Sequence, residues 1–368
     1  MDEKSTDISK NGFKLISKYR AVIMGLAAIS IYIFHAWIPL LRNSSNPAAS
    51  FWGSAETFIR RTGYCGVDIF LLLSGMGLTY AIKKESIGKF YCRRIRRVYL
   101  PFLIAGLIAW PACGWSFTDF LGNVSGYNFY AVNVNCFCWF VPAIITFYIF
   151  FPLYHKAFDK VKNKLLFTVF AILIWLLVTV LLTGRMRIDL YSITNRIPVF
   201  LIGILFGRIA QDKEYIVFKA WHYLLLLLIY IAGLFLSYLY IFESFELIVP
   251  EGKLFLPNFL IAVSFPFLAS KLMDIISQVL PRFGKGLASV IGFWGMISLE
   301  IYCIYSCFLV PFYGKLVLAL FGSGIPKGVI NLMVFALTTV LAWILYMACK
   351  YFLKLIELIG KRRESAES

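Results

Sequence analysis

The chain has 368 residues, of which 60% are hydrophobic, 18% are aromatic and only 15% are charged. Soluble domains have roughly half apolar and a quarter charged residues, so this composition excludes an ordinary soluble domain and is typical of a membrane protein. The formal net charge of +17 comes from short basic clusters between apolar segments. That distribution follows membrane topology and argues against nucleic-acid binding.

Apolar segments of about twenty residues recur along the chain, and each is long enough to cross a hydrocarbon core roughly 30 Å thick. Backbone groups in lipid must be hydrogen-bonded internally, so these segments are predicted to be helices. The predicted fold class is all-α, a polytopic integral membrane protein with about ten transmembrane helices. The expected spans are 21–41, 63–82, 98–114, 138–155, 164–183, 195–209, 221–242, 255–271, 288–311 and 328–352.

Lysine and arginine fall mostly on one side when these spans alternate across the membrane, whereas the segment after the seventh span carries Glu243, Glu246 and Glu251. Basic segments face the cytoplasm, so both termini are predicted to be cytoplasmic. The expected domains are a cytoplasmic tail over residues 1–20, one transmembrane domain over 21–354 and a cytoplasmic tail over 355–368. The expected location is the cell membrane, in a multi-pass arrangement.

The first span contains a histidine near its outer end, in the segment AISIYIFHAW over residues 28–37. Ionisable groups inside a membrane usually mark a site or a pathway, although a neutral imidazole also serves as a hydrogen-bonding partner for a neighbouring helix. Position alone leaves both interpretations of His35 open. Arg20 lies fifteen residues earlier, at the cytoplasmic end of the same span.

Asp68 lies in the second span, GYCGVDIFLLLSGMGLTYAI over residues 63–82, at a depth comparable with that of His35. A carboxylate beside an imidazole fixes its tautomer and raises its basicity, as a general base requires. The alternative is a purely structural hydrogen bond between the two side chains.

Four arginines lie within five residues in FYCRRIRRVYLP, over residues 90–101, where the third span begins; Arg93, Arg94 and Arg97 are among them. Guanidinium groups bind phosphate through paired hydrogen bonds, which suits a nucleotide-phosphate ligand such as coenzyme A. Juxtamembrane arginines also set topology and contact anionic lipids without any ligand. Taken alone, the cluster favours this second interpretation.

Two further charged residues lie in spans toward the outer side. Arg196 precedes Pro198 at the start of the sixth span, and Glu300 lies inside the ninth with Tyr302. Glu300 is either a functional acid or a partner for one of the arginines, and the spacing does not choose between them. The eight cysteines show no CxxC pair and no zinc spacing with histidine, so no metal site is expected.

Six segments follow one another in the order of a known family: RAVIMGLAAISIYIFH, GYCGVDIFLLLSG, FYCRRIRRVYLP, CWFVPAIITFYIFFPLY, NRIPVFLIGILFG and ISLEIYCIY. Through them the chain resembles the acyltransferase-3 family of integral membrane acyltransferases, which O-acylate surface polysaccharides and related molecules. The resemblance implies that acyl-CoA, with acetyl as the expected acyl group, is a co-substrate rather than a permanently bound cofactor. It also implies that the acyl group passes through the bundle to a hydroxyl of a carbohydrate acceptor at or beyond the outer face.

The resemblance implies that His35 is the catalytic residue and that Arg94 and Arg97 serve the acyl-CoA side. It also implies that Asp68 is the acidic residue that the family has in its second span. It also points to Trp139 and Tyr148 in the fourth span. Two positions depart from the family: Met24 stands where an arginine is common, and PAII over 142–145 stands where a glutamate is common. The complete candidate set is His35, Asp68 and Glu300 for catalysis, Arg94, Arg97, Arg93 and Arg20 for acyl-CoA, and Trp139, Tyr148, Arg196 and Tyr302 for the substrate.

Arg20 is the candidate to replace the arginine missing at Met24, and Glu300 is the candidate to replace the missing glutamate. Two other functions stay open at this point. A transporter or flippase of an envelope precursor also suits ten spans with buried charges, but it predicts an inverted repeat, which the sequence does not show. The second open function is that of a catalytically silent relative that acts as a binding subunit. The sequence also leaves the oligomeric state open.

Overall fold

A computed structural model describes residues 10–40, 47–84, 86–132, 138–182, 190–212, 216–243, 255–306 and 310–367. Two residues of the expected acidic segment, Glu246 and Glu251, lie outside these ranges, as do residues 1–9 of the expected N-terminal tail. The described ranges consist of helices and their connections, and they contain no strand.

The helices of the first half are α1 (Gly12–Lys18), α2 (Arg20–Ala36), α3 (Pro47–Thr62), α4 (Gly66–Ala81), α5 (Ile87–Ala112), α6 (Phe117–Val124), α7 (Phe140–Lys160) and α8 (Lys164–Leu181). Those of the second half are α9 (Tyr191–Thr194), α10 (Ile197–Gln211), α11 (Ala220–Phe242), α12 (Phe255–Val279), α13 (Pro281–Met296), α14 (Ser298–Ile304), α15 (Val310–Gly322) and α16 (Lys327–Glu367). A short 3₁₀ helix, Gly63–Cys65, joins α3 to α4, and a π-helical turn covers Asn128–Val132.

Eight helical segments in the described part of the chain are long and apolar enough to cross a membrane, with residues 51–81 (α3 with α4) and 191–211 (α9 with α10) each counted as one segment. The number rises to ten if two interrupted pairs, α1 with α2 and α13 with α14, each count as one span. The predicted fold class, a polytopic α-helical membrane protein, is therefore confirmed.

The first span is shorter than predicted. α2 ends at Ala36, and Trp37 adopts an extended conformation with φ −79° and ψ 122°. Pro39 follows two residues later; it disfavours the helical conformation at Ile38 and lacks the N–H group that a continued helix would bond to His35. The helix of the first span therefore ends at Ala36, before the predicted end at residue 41, which lies outside the described residues, and His35 lies on its last turn.

Two other elements differ from the expected spans. Residues 47–62, expected to connect the first two spans, form the helix α3. The ninth span, expected over 288–311, is interrupted at Ile297, where α13 gives way to α14. Gly292 and Gly295 lie just before the interruption, and each glycine weakens a helix by about 1 kcal/mol relative to alanine.

The described helices belong to two compact units. Unit 1 comprises Met1–Tyr91 and Thr146–Met296, and unit 2 comprises Cys92–Ile145 and Ile297–Ser368. The expected division into two tails and one transmembrane domain stays a prediction. Among the candidate residues, unit 1 contains His35, Arg20, Asp68, Tyr148 and Arg196, and unit 2 contains Arg93, Arg94, Arg97, Trp139, Glu300 and Tyr302.

In unit 1, the helix that carries His35 packs closely on α13. A Cβ atom at Gly25 would collide with the carbonyl oxygen of Ile291, and one at Gly295 would collide with that of Ala21. Small residues stabilise membrane helix pairs by allowing this close approach of the backbones. The position of α2, and hence of its last turn, is fixed by that packing.

Candidate functional site

His35 lies one residue before the end of α2. Its side chain is exposed rather than packed among the buried residues of unit 1. The imidazole contacts the Phe34 ring edge to face, with the ring centroids 4.7 Å apart. This position makes the imidazole accessible to a reacting group, while Phe34 restrains its orientation.

The segment after α2 is held against α3 by a single carboxylate. Glu56 accepts a hydrogen bond from Trp37 Nε1 at 2.8 Å and from the backbone N of Leu40 at 2.9 Å and 3.0 Å. A charged acceptor makes each of these bonds stronger than a neutral one. The end of the His35 helix and α3 are thereby joined.

A cavity of about 440 Å³ lies where the end of α2 meets α3. Its volume is in the range of small-molecule sites, roughly 300–1,000 Å³. Because Phe34 is part of its wall and also contacts His35, the cavity lies beside the candidate catalytic residue. The lining residues are Phe34, Pro39, Gly53, Glu56, Thr57, Arg60 and Arg61.

Asp68, expected as an acidic partner for His35, forms its ion pair with Arg196. Arg196 Nε lies 3.7 Å from Asp68 Oδ2, and the two residues are 3% and 4% exposed. The guanidinium group also lies over the Tyr64 ring, 4.7 Å from its centroid, and donates from Nη1 to the carbonyl oxygen of Ser192. The structure thus joins a candidate catalytic residue and a candidate substrate-binding residue in one buried ion pair.

Arg20 is the first residue of α2, so it lies at the opposite end of that helix from His35. Fifteen residues at 1.5 Å each correspond to roughly 22 Å along the helix axis. A Cβ atom at Gly77 of α4 would lie 2.7 Å from Arg20 Nη1, so the guanidinium group rests against α4 at this glycine. Met24, one turn further along α2, is half-buried. The structure therefore separates Arg20 from His35, and the expected role of Arg20 toward acyl-CoA stays a prediction.

In unit 2, the arginine cluster lies within a helix. α5 begins at Ile87, whereas the predicted span began at residue 98, so Arg93, Arg94 and Arg97 are all helical. Arg93 and Arg97 are exposed, and Arg94 is half-buried. Residues four apart share one face of a helix, so Arg93 and Arg97 present their guanidinium groups on the same side of α5.

Glu300 lies on α14 and is only 4% exposed. Its Oε2 atom is buried and makes no hydrogen bond to any described residue. Glu300 forms no ion pair with a described residue, so its roles as a functional acid and as a partner for one of the arginines both stay predictions.

Tyr302, two residues after Glu300, fixes the start of α7. Its hydroxyl accepts a hydrogen bond from the backbone N of Phe140 at 3.1 Å, and the two rings meet edge to face with centroids 6.0 Å apart. Trp139, next to Phe140, stacks on Phe129 with ring centroids 6.4 Å apart. Two residues expected on the substrate side, Trp139 and Tyr302, therefore flank one helix start in unit 2.

Tyr148, the other aromatic residue expected on the substrate side, belongs to unit 1 and is 7% exposed. Its neighbour Phe147 packs against Phe200 of α10, with ring centroids 4.8 Å apart. This part of α7 contributes to the core of unit 1, and a role for Tyr148 toward the substrate stays a prediction.

Sequence reasoning missed the residues of the cavity. Arg60 and Arg61 lie in the segment ETFIRRT, which was expected only to connect two spans. The available signal was the amphipathic pattern of residues 47–62, with polar and apolar residues at helical spacing and two bases in the last turn. A helix placed there would have put both arginines on the same side of the membrane as His35.

The fold and these sites define the class of the protein, a polytopic α-helical membrane protein with an exposed histidine at the end of a membrane helix and an arginine-rich helix. The model of the acyltransferase-3 family, described as an acyltransferase domain, matches residues 22–347, nearly the whole chain. The chain belongs to this family, which confirms the resemblance and supports a membrane acyltransferase. Neither a curated protein nor a solved structure matches the chain.

Proposed function

We propose that this protein is a membrane O-acyltransferase that moves an acyl group, most simply acetyl, from cytoplasmic acyl-CoA to a hydroxyl of a cell-envelope carbohydrate. The observation that carries the proposal is the position of His35. It is exposed on the last turn of α2, beside a cavity of about 440 Å³ that is large enough for a sugar residue. Membership of the family supports the reaction class, and this geometry supports His35 as the catalytic residue.

His35 acts as the general base in the transfer. Its neutral imidazole accepts the proton of the acceptor hydroxyl while the hydroxyl oxygen attacks the carbonyl carbon of the thioester. A C–O ester bond forms, the C–S bond breaks, and the CoA thiolate leaves and takes up a proton. A positioned base of this kind typically contributes roughly 10²–10⁴-fold to the rate.

The donor side is proposed to lie at the arginine-rich start of α5. With both termini cytoplasmic, Arg93, Arg94 and Arg97 face the compartment that contains acyl-CoA. Their guanidinium groups suit the CoA phosphates because each forms two parallel hydrogen bonds to a phosphate group. The expected topology also puts Arg20, the first residue of α2, on the cytoplasmic side, so acyl-CoA must extend its thioester along the length of that helix, roughly 22 Å, to bring it to His35.

The two buried carboxylates are given different roles. Glu300 is proposed as the acid that changes its protonation during the reaction, since it is 4% exposed and, unlike Asp68, forms no ion pair with a described residue. Asp68 is proposed as a positioning residue, because its carboxylate forms an ion pair with Arg196. The aromatic residues Trp139, Tyr148 and Tyr302 are proposed to contact the substrate.

The test uses the purified full-length protein in proteoliposomes, acetyl-CoA labelled in its acetyl group, and envelope glycans as acceptors. Wild type transfers label to a glycan, and His35→Ala reduces transfer to background. The matched control is His222→Ala, since His222 Nδ1 accepts a hydrogen bond from Lys219 N at the start of α11 and has no role in the proposal. Equal transfer by wild type and His35→Ala overturns the role of His35.

The same preparation tests the donor side. Replacement of both Arg94 and Arg97 by alanine is expected to raise the apparent KM for acetyl-CoA, and an unchanged KM would assign the cluster to topology. Movement of unlabelled glycan across the bilayer without any label transfer identifies a transporter instead. Glycan binding with neither transfer nor movement identifies a catalytically silent subunit.

A further inference from the structure

The cavity beside His35 contains two cations that the transfer reaction does not require. Arg60 and Arg61 occupy the last turn of α3, and both line the cavity. Arg61 is exposed, whereas Arg60 is half-buried. The Nε atom of Arg60 is buried and makes no hydrogen bond within the described ranges of the chain. A buried N–H group without an acceptor costs free energy, so the cavity wall holds a donor suited to a ligand.

Glu56 is the acidic residue of the lining, and it lies one helical turn before Arg60. A glutamate four residues before an arginine usually pairs with it along a helix face. Here the Glu56 carboxylate instead accepts hydrogen bonds from Trp37 Nε1 and Leu40 N. Two guanidinium groups therefore share the cavity with one carboxylate that is already hydrogen-bonded to the end of the His35 helix, and the lining is positive.

We propose that this cavity binds an anionic group of the acceptor, a carboxylate or a phosphate ester on the carbohydrate, through Arg60 and Arg61. This inference rests on the proposed function and names its substrate class as an acidic glycan. The planar guanidinium fork matches the two oxygens of a carboxylate or phosphate group, and the cavity volume suits one charged sugar residue. Because Phe34 lines the cavity and also contacts the imidazole of His35, an anion held by the arginines is expected to place a neighbouring hydroxyl of the same glycan near His35.

The carbonyl groups at the end of a helix also attract cations, and this effect explains arginine in a last turn without any ligand. That attraction acts on the charge as a whole and falls off within the turn. It does not supply a hydrogen-bond acceptor for the buried Nε atom of Arg60. A bound anion does, so the ligand accounts for an observation that the helix dipole leaves unexplained.

The experiment measures binding without any acyl donor, in nanodiscs of neutral phosphatidylcholine. The probe is an oligosaccharide of hexuronic acid residues, and the matched probe is the same oligosaccharide after reduction of its carboxyl groups to primary alcohols. Wild type is expected to bind the uronate form at least tenfold more tightly. Arg60→Gln/Arg61→Gln abolishes that preference, whereas Arg282→Gln, which removes an exposed charge from α13 outside the cavity lining, preserves it.

Two further variants keep the result interpretable. Arg60→Lys retains the charge but loses the fork, so it is expected to retain only part of the preference for the uronate. Each variant must unfold at the wild-type temperature; if the double variant does not, Arg61→Gln alone carries the test and is expected to weaken uronate binding severalfold. Equal affinity of wild type for the two probes overturns the inference, and so does an equal loss for both probes in a folded variant.

Anionic phospholipids present the same phosphate chemistry as an acidic glycan. Repeating the titration in nanodiscs that contain phosphatidylglycerol separates the two sources. Displacement of the uronate by the lipid, dependent on Arg60 and Arg61, would identify a lipid-headgroup site and overturn the inference. Because binding is measured without donor, its failure leaves the labelled-transfer result for His35 intact, and loss of transfer leaves the binding preference intact.

Discussion

Asp68 in unit 1 and Glu300 in unit 2 are both 4% exposed, but their surroundings differ. The counter-ion of Asp68 is Arg196, itself buried, stacked on Tyr64 and hydrogen-bonded to a backbone carbonyl. Glu300 forms no ion pair with a described residue. Each carboxylate has one buried oxygen, Asp68 Oδ2 or Glu300 Oε2, that makes no hydrogen bond to any described residue, so the ion pair is what distinguishes the two.

The difference separates a carboxylate that holds the fold from one that is suited to chemistry. A buried ion pair is costly to form, and removal of one partner leaves an uncompensated charge. A buried acid without such a fixed partner is a candidate functional group. We therefore expect Asp68 to position α4 against α10 and Glu300 to be available for chemistry.

The largest expected effect is on stability in unit 1. Arg196→Leu leaves Asp68 buried without its counter-ion and is expected to cost about 3–5 kcal/mol of unfolding free energy. Equilibrium unfolding in mixed micelles measures it. The double variant Asp68→Asn/Arg196→Leu is expected to lose less than the sum of the single variants. Additive losses would show that Asp68 and Arg196 do not act as a pair, and the comparison would fail.

The second effect is on activity in unit 2. Glu300→Gln keeps the shape of the side chain but removes its charge, so acetyl transfer is expected to fall on the order of 10²-fold. The unfolding free energy is expected to change by less than about 1 kcal/mol, since the substitution keeps the volume of the side chain and breaks no ion pair with a described residue. Steady-state transfer kinetics and the micelle assay provide both numbers. A stable variant with wild-type kcat would assign Glu300 to structure alone.

A third carboxylate extends the comparison. Glu56 is half-buried and joins α3 to the end of α2, so Glu56→Ala is expected to cost about 1–3 kcal/mol by freeing Trp37 Nε1 and Leu40 N. Its effect on transfer is expected to be a raised KM for the acceptor with a smaller change in kcat. A change confined to kcat would place Glu56 in the chemistry rather than in the support of the cavity.

The smallest effect comes from a neutral group beside Glu300. Tyr302→Phe removes the acceptor of the Phe140 N–H group and is expected to cost about 0.5–1.5 kcal/mol. Transfer is expected to change less than in Glu300→Gln. If Tyr302→Phe lowers kcat as much as Glu300→Gln does, the loss of kcat in Glu300→Gln results from a disturbed α14 and not from removal of the acid.

The helices were predictable because each apolar segment has the length and the hydrophobicity that a bilayer requires. The ends of the helices were less predictable. The hydrophobic sequence continues through Leu41, but α2 ends at Ala36, where the chain becomes extended at Trp37 shortly before Pro39. The extent of α5 was missed for the opposite reason. Its first turns are basic, and a search for apolar residues begins only at Val98.

The pairing of charged residues was the part that sequence spacing did not determine. Asp68 and Arg196 are far apart in the chain and meet because α4 packs on α10. The comparable depth of the two residues in the membrane favoured His35 as the partner of Asp68. Depth alone does not indicate which helices are neighbours. Local spacing also predicts a Glu56–Arg60 pair, but the Glu56 carboxylate is bonded to the turn after α2, which is a tertiary contact.

The central claim, that His35 performs acyl transfer, is tested most directly by a single-turnover measurement with the protein in excess over labelled acetyl-CoA and with saturating acceptor. The rate of label transfer by His35→Gln is predicted to fall roughly 10²–10⁴-fold below wild type. The affinity for acetyl-CoA, measured by equilibrium binding, is predicted to stay unchanged. A transfer rate in His35→Gln within twofold of wild type would contradict the account.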